Sequence, residues 1–152
     1  MEEQSVKILF RFFNNVLDEW TVETIWATAI DLDKGLYKID NIPFYAPVSC
    51  DDLVFAEYDQ DEERLTYRKT VEHSGNSTIQ VFIVEQKIEI NKLRDEFKVL
   101  GCESEKFDDK FFTMEIPADL DYEPIRQKLN KLEEAELIAY TEPSLAKNHW
   151  YD

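Results

Sequence analysis

The first 75 residues consist of short β-branched and aromatic segments separated by turns, and this pattern constrains the fold more than any other feature. Val6–Phe13 has the composition of a mostly buried strand. Glu23–Asp31 and Gly35–Asn41 flank a tight turn that ends in glycine. Asp52–Tyr58 and Arg64–Val71 bracket an acidic turn, as in a hairpin with a solvated loop. Four or five short strands without a helix predict a small antiparallel, SH3-like β-barrel, because such a barrel hides strand edges.

The second half combines strand and helix signals, and it begins after the Gly/Ser/Asn-containing segment His73–Ser77. Helices are predicted at Glu89–Leu100 and over the apolar face that runs from Tyr122 to Leu132, where apolar residues recur three and four apart. Strands are predicted at Thr78–Glu85, Glu103–Phe107, Phe111–Ile116 and Leu137–Thr141. The order β-α-β-β-α-β is that of a ferredoxin-like unit.

These segments together predict an α+β fold class. A barrel-like half over residues 1–75 is expected to pack on a ferredoxin-like half over residues 76–145, the two forming one rigid unit. Residues 146–152 are expected to be a loose tail.

The charge of the chain limits its partners. There are 33 acidic and 17 basic residues, which gives a formal net charge of -16 spread over both halves. A negative field of this size repels nucleic acids and anionic membrane surfaces, whereas it attracts basic proteins. Solubility alone is an equally good explanation of the charge.

The cysteines and the N-terminus predict a cytoplasmic protein. Cys50 and Cys102 lie far apart and form neither a C-x-x-C pair nor a disulfide framework. The chain starts with acidic residues where a signal peptide would be basic. No segment contains the roughly 20 apolar residues that a membrane span needs.

Catalytic signals are weak. His73 has Ser74 and Ser77 nearby, but the segment lacks the G-x-S-x-G elbow of a nucleophilic serine, so a loop histidine is the favoured interpretation. We therefore expect no catalytic residues and no enzyme.

Metal and cofactor signals are weak as well. The series Asp59-x-Asp61-x-Glu63 resembles the start of a calcium loop, but it lacks the central glycine and the terminal glutamate of that motif. With 3 glycines in the chain, a glycine-rich phosphate loop is excluded. We expect no metal site and no cofactor.

Aromatic residues cluster in the N-terminal half, where they could line a groove for a partner. Trp26 and Tyr37 are expected in the barrel core rather than in such a groove. Phe44 and Tyr45 follow a proline and are expected at a rim. The full cluster comprises Trp20, Trp26, Tyr37, Phe44 and Tyr45.

Several phrases carry a resemblance to a known family. These are Val22–Ala27, Gly35–Ala46, Asp52–Val54 and Ser74–Thr78. Together they resemble a bacterial family of domains of unknown function with the signature VE-x-x-W-A, Y-x-x-DNIPF-x-A and S-G-x-S-T. The resemblance implies that the barrel and the ferredoxin-like half occur together as one unit, and it implies no catalytic residues.

The function predicted from these features is that of an acidic protein-binding module. Small acidic proteins without catalytic residues are similar to immunity proteins, and this similarity predicts an immunity-type inhibitor that blocks a basic toxin sterically and electrostatically. The alternative is a small-molecule-sensing regulatory domain with the ferredoxin-like fold. The residues predicted to bind a basic protein partner are Asp51, Asp52, Asp59, Asp61, Glu62 and Glu63, with Tyr45 and Tyr58 as aromatic anchors.

Overall fold

The computed structural model describes residues 4–14 and 17–150. The strands are β1 (Ser5–Asn14), β2 (Glu19–Asp31), β3 (Leu36–Ile39), β4 (Leu53–Asp59), β5 (Arg64–Glu72), β6 (Ser77–Ile83), β7 (Glu103–Asp108), β8 (Phe111–Ile116) and β9 (Ile138–Ser144). The helices are α1 (Ile90–Val99) and α2 (Glu123–Glu134), and a single 3-10 turn covers Lys147–His149. The chain divides into two compact units, Met1–Ser74 and Gly75–Asp152.

The first unit is a closed barrel in which β1 to β5 follow one another in sequence order. Each strand is antiparallel to the one before it, so the first and fifth strands run in the same direction. The barrel therefore closes through a parallel pairing, at Leu9 and Thr66. The barrel was predicted to be antiparallel throughout, and the parallel pairing of β1 with β5 corrects that prediction.

Apolar side chains at alternate strand positions point inward and fill the barrel. Ile8 and Phe10 of β1 and Ile25 and Ala27 of β2 point inward and are almost completely buried. The loop between β3 and β4 adds Ala46, which is 1% exposed, to the same core. Ala46 thus anchors the loop in the packed interior, and the residues next to Ala46 in the loop are held near the barrel surface.

The second unit is a four-stranded antiparallel sheet in the order β7-β8-β6-β9 with two helices. Ile79 and Val81 of β6 share a core with Leu93 and Phe97 of α1. Gly101, with φ of 106°, follows the end of α1, where the left-handed conformation suits glycine. Both helices bury the faces predicted from the spacing of apolar residues, except at Leu100, which is 37% exposed.

The predicted fold class is corrected by these elements. The chain is mostly β, with 48% strand and 17% helix, and it is not α+β. The second unit is an antiparallel four-stranded sheet with two short helices, and its assignment as a ferredoxin-like βαββαβ unit was wrong. The physical reason lies in the lengths of the elements, because the two helices have only 10 and 12 residues, whereas strands account for 48% of the structure.

The C-terminal segment is ordered where a loose tail was expected. The N–H of Ala146 donates to Ser77 Oγ over 2.8 Å, and Asn148 Nδ2 donates to the carbonyls of Gly75 and Ala118. The side chain of His149 is 3% exposed. Residues 146–150 are therefore fastened to the second unit, while 151–152 lie outside the described residues.

Candidate partner-binding surface

The acidic turn between β4 and β5, residues 59–63, is called the acidic tip. Asp59 organises it: Oδ1 accepts the N–H groups of Asp61 and Glu62 at 2.9 and 3.0 Å, and Oδ2 accepts Arg68 Nη2 at 2.8 Å. The hydrogen bond from Arg68, followed by the N–H of Glu62, lowers the pKa of Asp59 below its usual value. Asp59 is thus engaged within the turn.

The other tip acids divide into one that is paired and two that are exposed. Glu62 Oε1 lies 2.6 Å from Arg11 Nη2 of β1. Asp61 and Glu63 are exposed, and Glu63 has a left-handed φ of 57°. Tyr58, the predicted anchor next to the tip, is 64% exposed. The tip therefore presents two carboxylates to solvent, and the exposed Tyr58 directly precedes it in the chain.

Asp51 and Asp52 are neighbours in sequence with opposite environments. Asp51 is exposed, with Oδ1 4.0 Å from Lys38 Nζ. Asp52 is 1% exposed, and its carboxylate accepts the N–H groups of Ser49 and Ser74 at 2.9 and 2.8 Å. Asp52 therefore holds the barrel loops together, and its buried carboxylate is not placed to meet a partner.

Tyr45 is half-buried in the loop between β3 and β4. The carboxylate of Glu23 accepts three consecutive backbone N–H groups of this loop, from Phe44, Tyr45 and Ala46, at 2.8 to 3.0 Å. Successive N–H groups that converge in this way form an anion-binding nest. Glu23 fills the nest from within the chain and thereby holds the loop backbone at Tyr45.

An exposed apolar strip, which the sequence analysis did not single out as a unit, lies on β1 and β2. This surface, called the aromatic strip, consists of Phe13, Trp20, Val22 and Trp26, which are 45%, 68%, 51% and 47% exposed. Trp26 was expected in the core and lies outside it, whereas Tyr37 is buried as expected. The period of two along β2 places Trp20, Val22 and Trp26 on one face, but it does not say whether that face points inward or outward.

The aromatic strip and the acidic tip are adjacent. The Arg11 side chain stands opposite Val22 in the β1–β2 register, and it forms the ion pair with Glu62 of the tip. Among the predicted partner-binding residues, the structure thus brings the tip beside exposed aromatic rings. Asp51, Asp52 and Tyr45 belong instead to the loop between β3 and β4.

The sequence placed Ser77 near His73 as a conceivable nucleophile and base, but the structure pairs Ser77 with the other histidine. The His73 side chain is 76% exposed, and its Nδ1 lies 3.9 Å from Asp52 Oδ2. Ser77 instead meets His149, at 2.6 Å between Oγ and Nδ1. His149 Nε2 lies 2.9 Å from the carbonyl of Pro117, which can only accept, so Nε2 carries a proton, and in the neutral imidazole Nδ1 then accepts from Ser77. Ser77 and His149 are both buried, so the pair fastens the C-terminal segment rather than facing a substrate.

Metal-binding and membrane-spanning features are also absent from the described part of the chain. Within residues 4–14 and 17–150, no group of three or more His, Cys, Asp or Glu side chains is placed to hold a metal ion. The helices in those ranges are too short or too polar to cross a membrane.

Comparison with known proteins places the sequence in a family. The model of the domain of unknown function DUF4265 matches residues 23–140, which is well over half of the chain. The chain belongs to the DUF4265 family. The predicted membership in a family of domains of unknown function is thereby confirmed.

The fold of this DUF4265 chain is similar to one in a bacterial protein. A crystal structure described as that of a hypothetical protein from Neisseria gonorrhoeae matches with a TM-score of 0.80 and 20% sequence identity, over 96% of this chain and 99% of that one. At this identity the likeness concerns the fold alone. A comparison with curated proteins finds no match.

The phrases that carried the family resemblance have structural roles in this DUF4265 chain. Glu23, in the first phrase, binds the loop that contains the end of the second phrase. Ser77, in the last phrase, accepts the N–H of Ala146 and donates to His149. These contacts give Glu23 and Ser77 a role in stabilising the fold.

Proposed function

We propose that this DUF4265 chain is an acidic protein-binding module that recognises a basic protein. The observation that carries the proposal is the acidic tip, where Asp61 and Glu63 lie exposed a few residues after the exposed Tyr58. The net charge of -16 adds a long-range attraction that orients a basic protein before contact. Exposed carboxylates contribute more to the rate of association and to specificity than to the strength of the final complex.

An immunity-type inhibitor is the form of this module that we propose first. A basic toxin that acts on an anionic substrate has a positive surface around its active site, and an acidic tip with an aromatic ring is suited to cover such a surface. Inhibition would require only steric and electrostatic occlusion. The proposal accordingly assigns no catalytic residue, metal or cofactor to this chain.

The test is a pull-down with the tagged full chain at low and high salt, followed by reconstitution with the purified partner. We expect a stoichiometric basic partner that is lost at high salt, because exposed charges are screened. If the partner is an enzyme, its activity should fall with one equivalent of this chain. An empty bait at low salt, or only acidic partners, would contradict the proposal.

Two charge-reversal substitutions in the acidic tip, with a matched control pair, test whether the tip attracts the basic partner. Asp61→Lys/Glu63→Lys should slow association with the basic partner on the order of tenfold at low salt. The control, Glu105→Lys/Glu134→Lys, changes the net charge by the same amount at exposed positions of the second unit. Equal effects of the two pairs would show that total charge, and not the tip, governs binding.

A small-molecule-sensing domain is the second candidate, and a cavity of about 290 Å³ favours it. Asn91, Arg94 and Lys98 of α1 line this cavity together with Ser104 of β7. Its size is at the lower end of ligand pockets. The guanidinium of Arg94 already donates to the Ser104 hydroxyl and carbonyl and to Asn91 Oδ1. A thermal-shift screen of metabolites tests this candidate, and an Arg94→Met variant should abolish any shift that arises there.

A further inference from the structure

The structure points to a docking face for the basic partner, and we propose that it consists of the aromatic strip with an acidic rim. This inference rests on the proposed function and adds where the partner sits and what chemistry it presents. The partner is a basic protein that places apolar side chains between lysine or arginine residues. The apolar side chains cover the strip, and the basic ones meet the rim.

The strip is held as a rigid surface. Phe13 and Trp20 are opposite each other in the β1–β2 register, and their rings contact edge to face with centroids 6.0 Å apart. Lys7 is opposite Trp26, with Nζ 5.1 Å from the ring centroid. Paired strands of a closed barrel lose little conformational freedom on binding, and aromatic side chains are the preferred anchors of interfaces.

The rim is acidic at two places. Asp18 and Glu19 are exposed immediately before Trp20. On the β1 side, the Arg11–Glu62 ion pair brings the acidic tip with Asp61 and Glu63 next to the strip. Arg11 is neutralised by that pair, so the carboxylates dominate the rim. A basic protein therefore complements this face.

A second copy of this chain fits the face less well. Each copy carries a charge of -16, so two copies repel each other. The exposed part of the strip amounts to roughly 400 Å² if each aromatic side chain covers about 150–250 Å² when buried. A standard interface needs about 800 Å² per partner, so polar contacts to the rim must supply the rest. Two acidic rims cannot supply them to each other.

The three tryptophans of the chain provide a direct test. With 5-fluorotryptophan in the full chain, each indole gives one 19F signal, assigned through single Trp→Phe variants. The probe is a short peptide of alternating lysine and leucine at low salt. Two matched peptides replace lysine by glutamate or leucine by serine. Trp150, 63% exposed in the second unit, is the internal control.

We expect the Lys/Leu peptide to shift the signals of Trp20 and Trp26 and to leave Trp150 unchanged. The Glu/Leu peptide should have no effect, and the Lys/Ser peptide should bind roughly 30-fold more weakly. Equal shifts with the Glu/Leu peptide, shifts at Trp150 alone, or no shifts would overturn the docking face. Signals of Trp20 and Trp26 that move with protein concentration alone would identify a second copy as the occupant and would also overturn it.

Variants separate this inference from the proposed function. Trp20→Ser/Trp26→Ser should weaken binding of the pulled-down basic partner roughly 30-fold, whereas Trp150→Ser should not. Lys7→Glu should strengthen binding if the partner is basic, because it removes the cation over Trp26. If the partner binds the tryptophan variants normally but loses the tip variant, the docking face is wrong and the proposed function stands. If no basic partner exists, the proposed function fails.

Discussion

The guanidinium of Arg11 lies 2.6 Å from the carboxylate of Glu62, and this ion pair joins the outer face of β1 to the acidic tip. Arg11 Nε also donates to the same oxygen at 2.8 Å. The two residues are 51 positions apart in sequence. Their contact makes the exposed aromatic rings and the exposed carboxylates parts of one surface of the barrel.

Removal of this ion pair should cost little stability. The side chains are 51% and 25% exposed, and exposed pairs contribute about 0.2–1 kcal/mol to the free energy of unfolding. A double-mutant cycle with Arg11→Met and Glu62→Gln, measured by urea unfolding at low and high salt, should give a coupling energy in this range that falls with salt. A coupling above about 2 kcal/mol would show that the pair is desolvated.

Asp59→Asn should make the free energy of unfolding less dependent on pH in the acid range. The hydrogen bond from Arg68 lowers the pKa of Asp59 in the folded state below the ordinary value of 3.8. The ionised group thus stabilises the fold above that value, and this stabilisation is lost as pH falls through the folded pKa. The stability difference between the parent and Asp59→Asn should vanish in acid. A difference that persists below the folded pKa would exclude this cause, and Asp61→Asn is the control.

Glu23→Gln should destabilise the barrel. A carboxylate that accepts three N–H groups makes charge-assisted hydrogen bonds, and glutamine offers one acceptor oxygen and an NH₂ group that faces donors. We expect a loss of about 2 kcal/mol in urea unfolding. Glu19→Gln, at an exposed position of the same strand, should change stability by less than about 0.5 kcal/mol. Equal effects would contradict the role of the nest.

Ser77→Ala should loosen the C-terminal segment. The substitution leaves the N–H of Ala146 and Nδ1 of His149 without the hydroxyl that they share, inside the protein. An unsatisfied buried group costs about 1–3 kcal/mol. Hydrogen exchange at residues 146–150 should speed up, while His73→Ala, at an exposed side chain, should leave it unchanged. Unchanged exchange in Ser77→Ala would mean that other contacts hold the segment.

The two cysteines should differ in reactivity. Burial raises the pKa of the Cys102 thiol to about 12, and the residue is 1% exposed, so almost no accessible thiolate exists at pH 8. Cys50 is partly exposed. Alkylation at pH 8 should modify Cys50 in the folded protein and both residues in urea. Cys50→Ser should remove labelling of the folded chain, and rapid labelling of Cys102 would contradict its burial.

Local structure was largely predictable because it depends on the spacing of neighbouring residues. A strand predicted at Thr78–Glu85 is found at Ser77–Ile83, and a helix predicted at Glu89–Leu100 is found at Ile90–Val99. The fold class was not predictable in the same way. The order of elements does not say how many residues each will contain, nor that the barrel closes through a parallel pair.

The candidate surface was predictable only in part. The acidic turn was identified, since it depends on a local run of carboxylates. Asp51 and Asp52 could not be distinguished, because one turn with a left-handed φ of 70° at Asp51 sends the two side chains in different directions. The exposure of Trp26 follows from the inward position of Ile25 and Ala27, which depends on the core that β2 meets.

The sequence by itself determined the charge of -16, the strand-rich first half, the two helix faces and the absence of a nucleotide-binding glycine loop. These properties depend on composition and on short-range periodicity. Tertiary structure alone decided that Arg11 meets Glu62, that Glu23 fills the nest at Phe44–Ala46, and that Ser77 meets His149 over 72 positions. Such contacts depend on how distant segments pack, and packing is set by the whole core rather than by any local pattern.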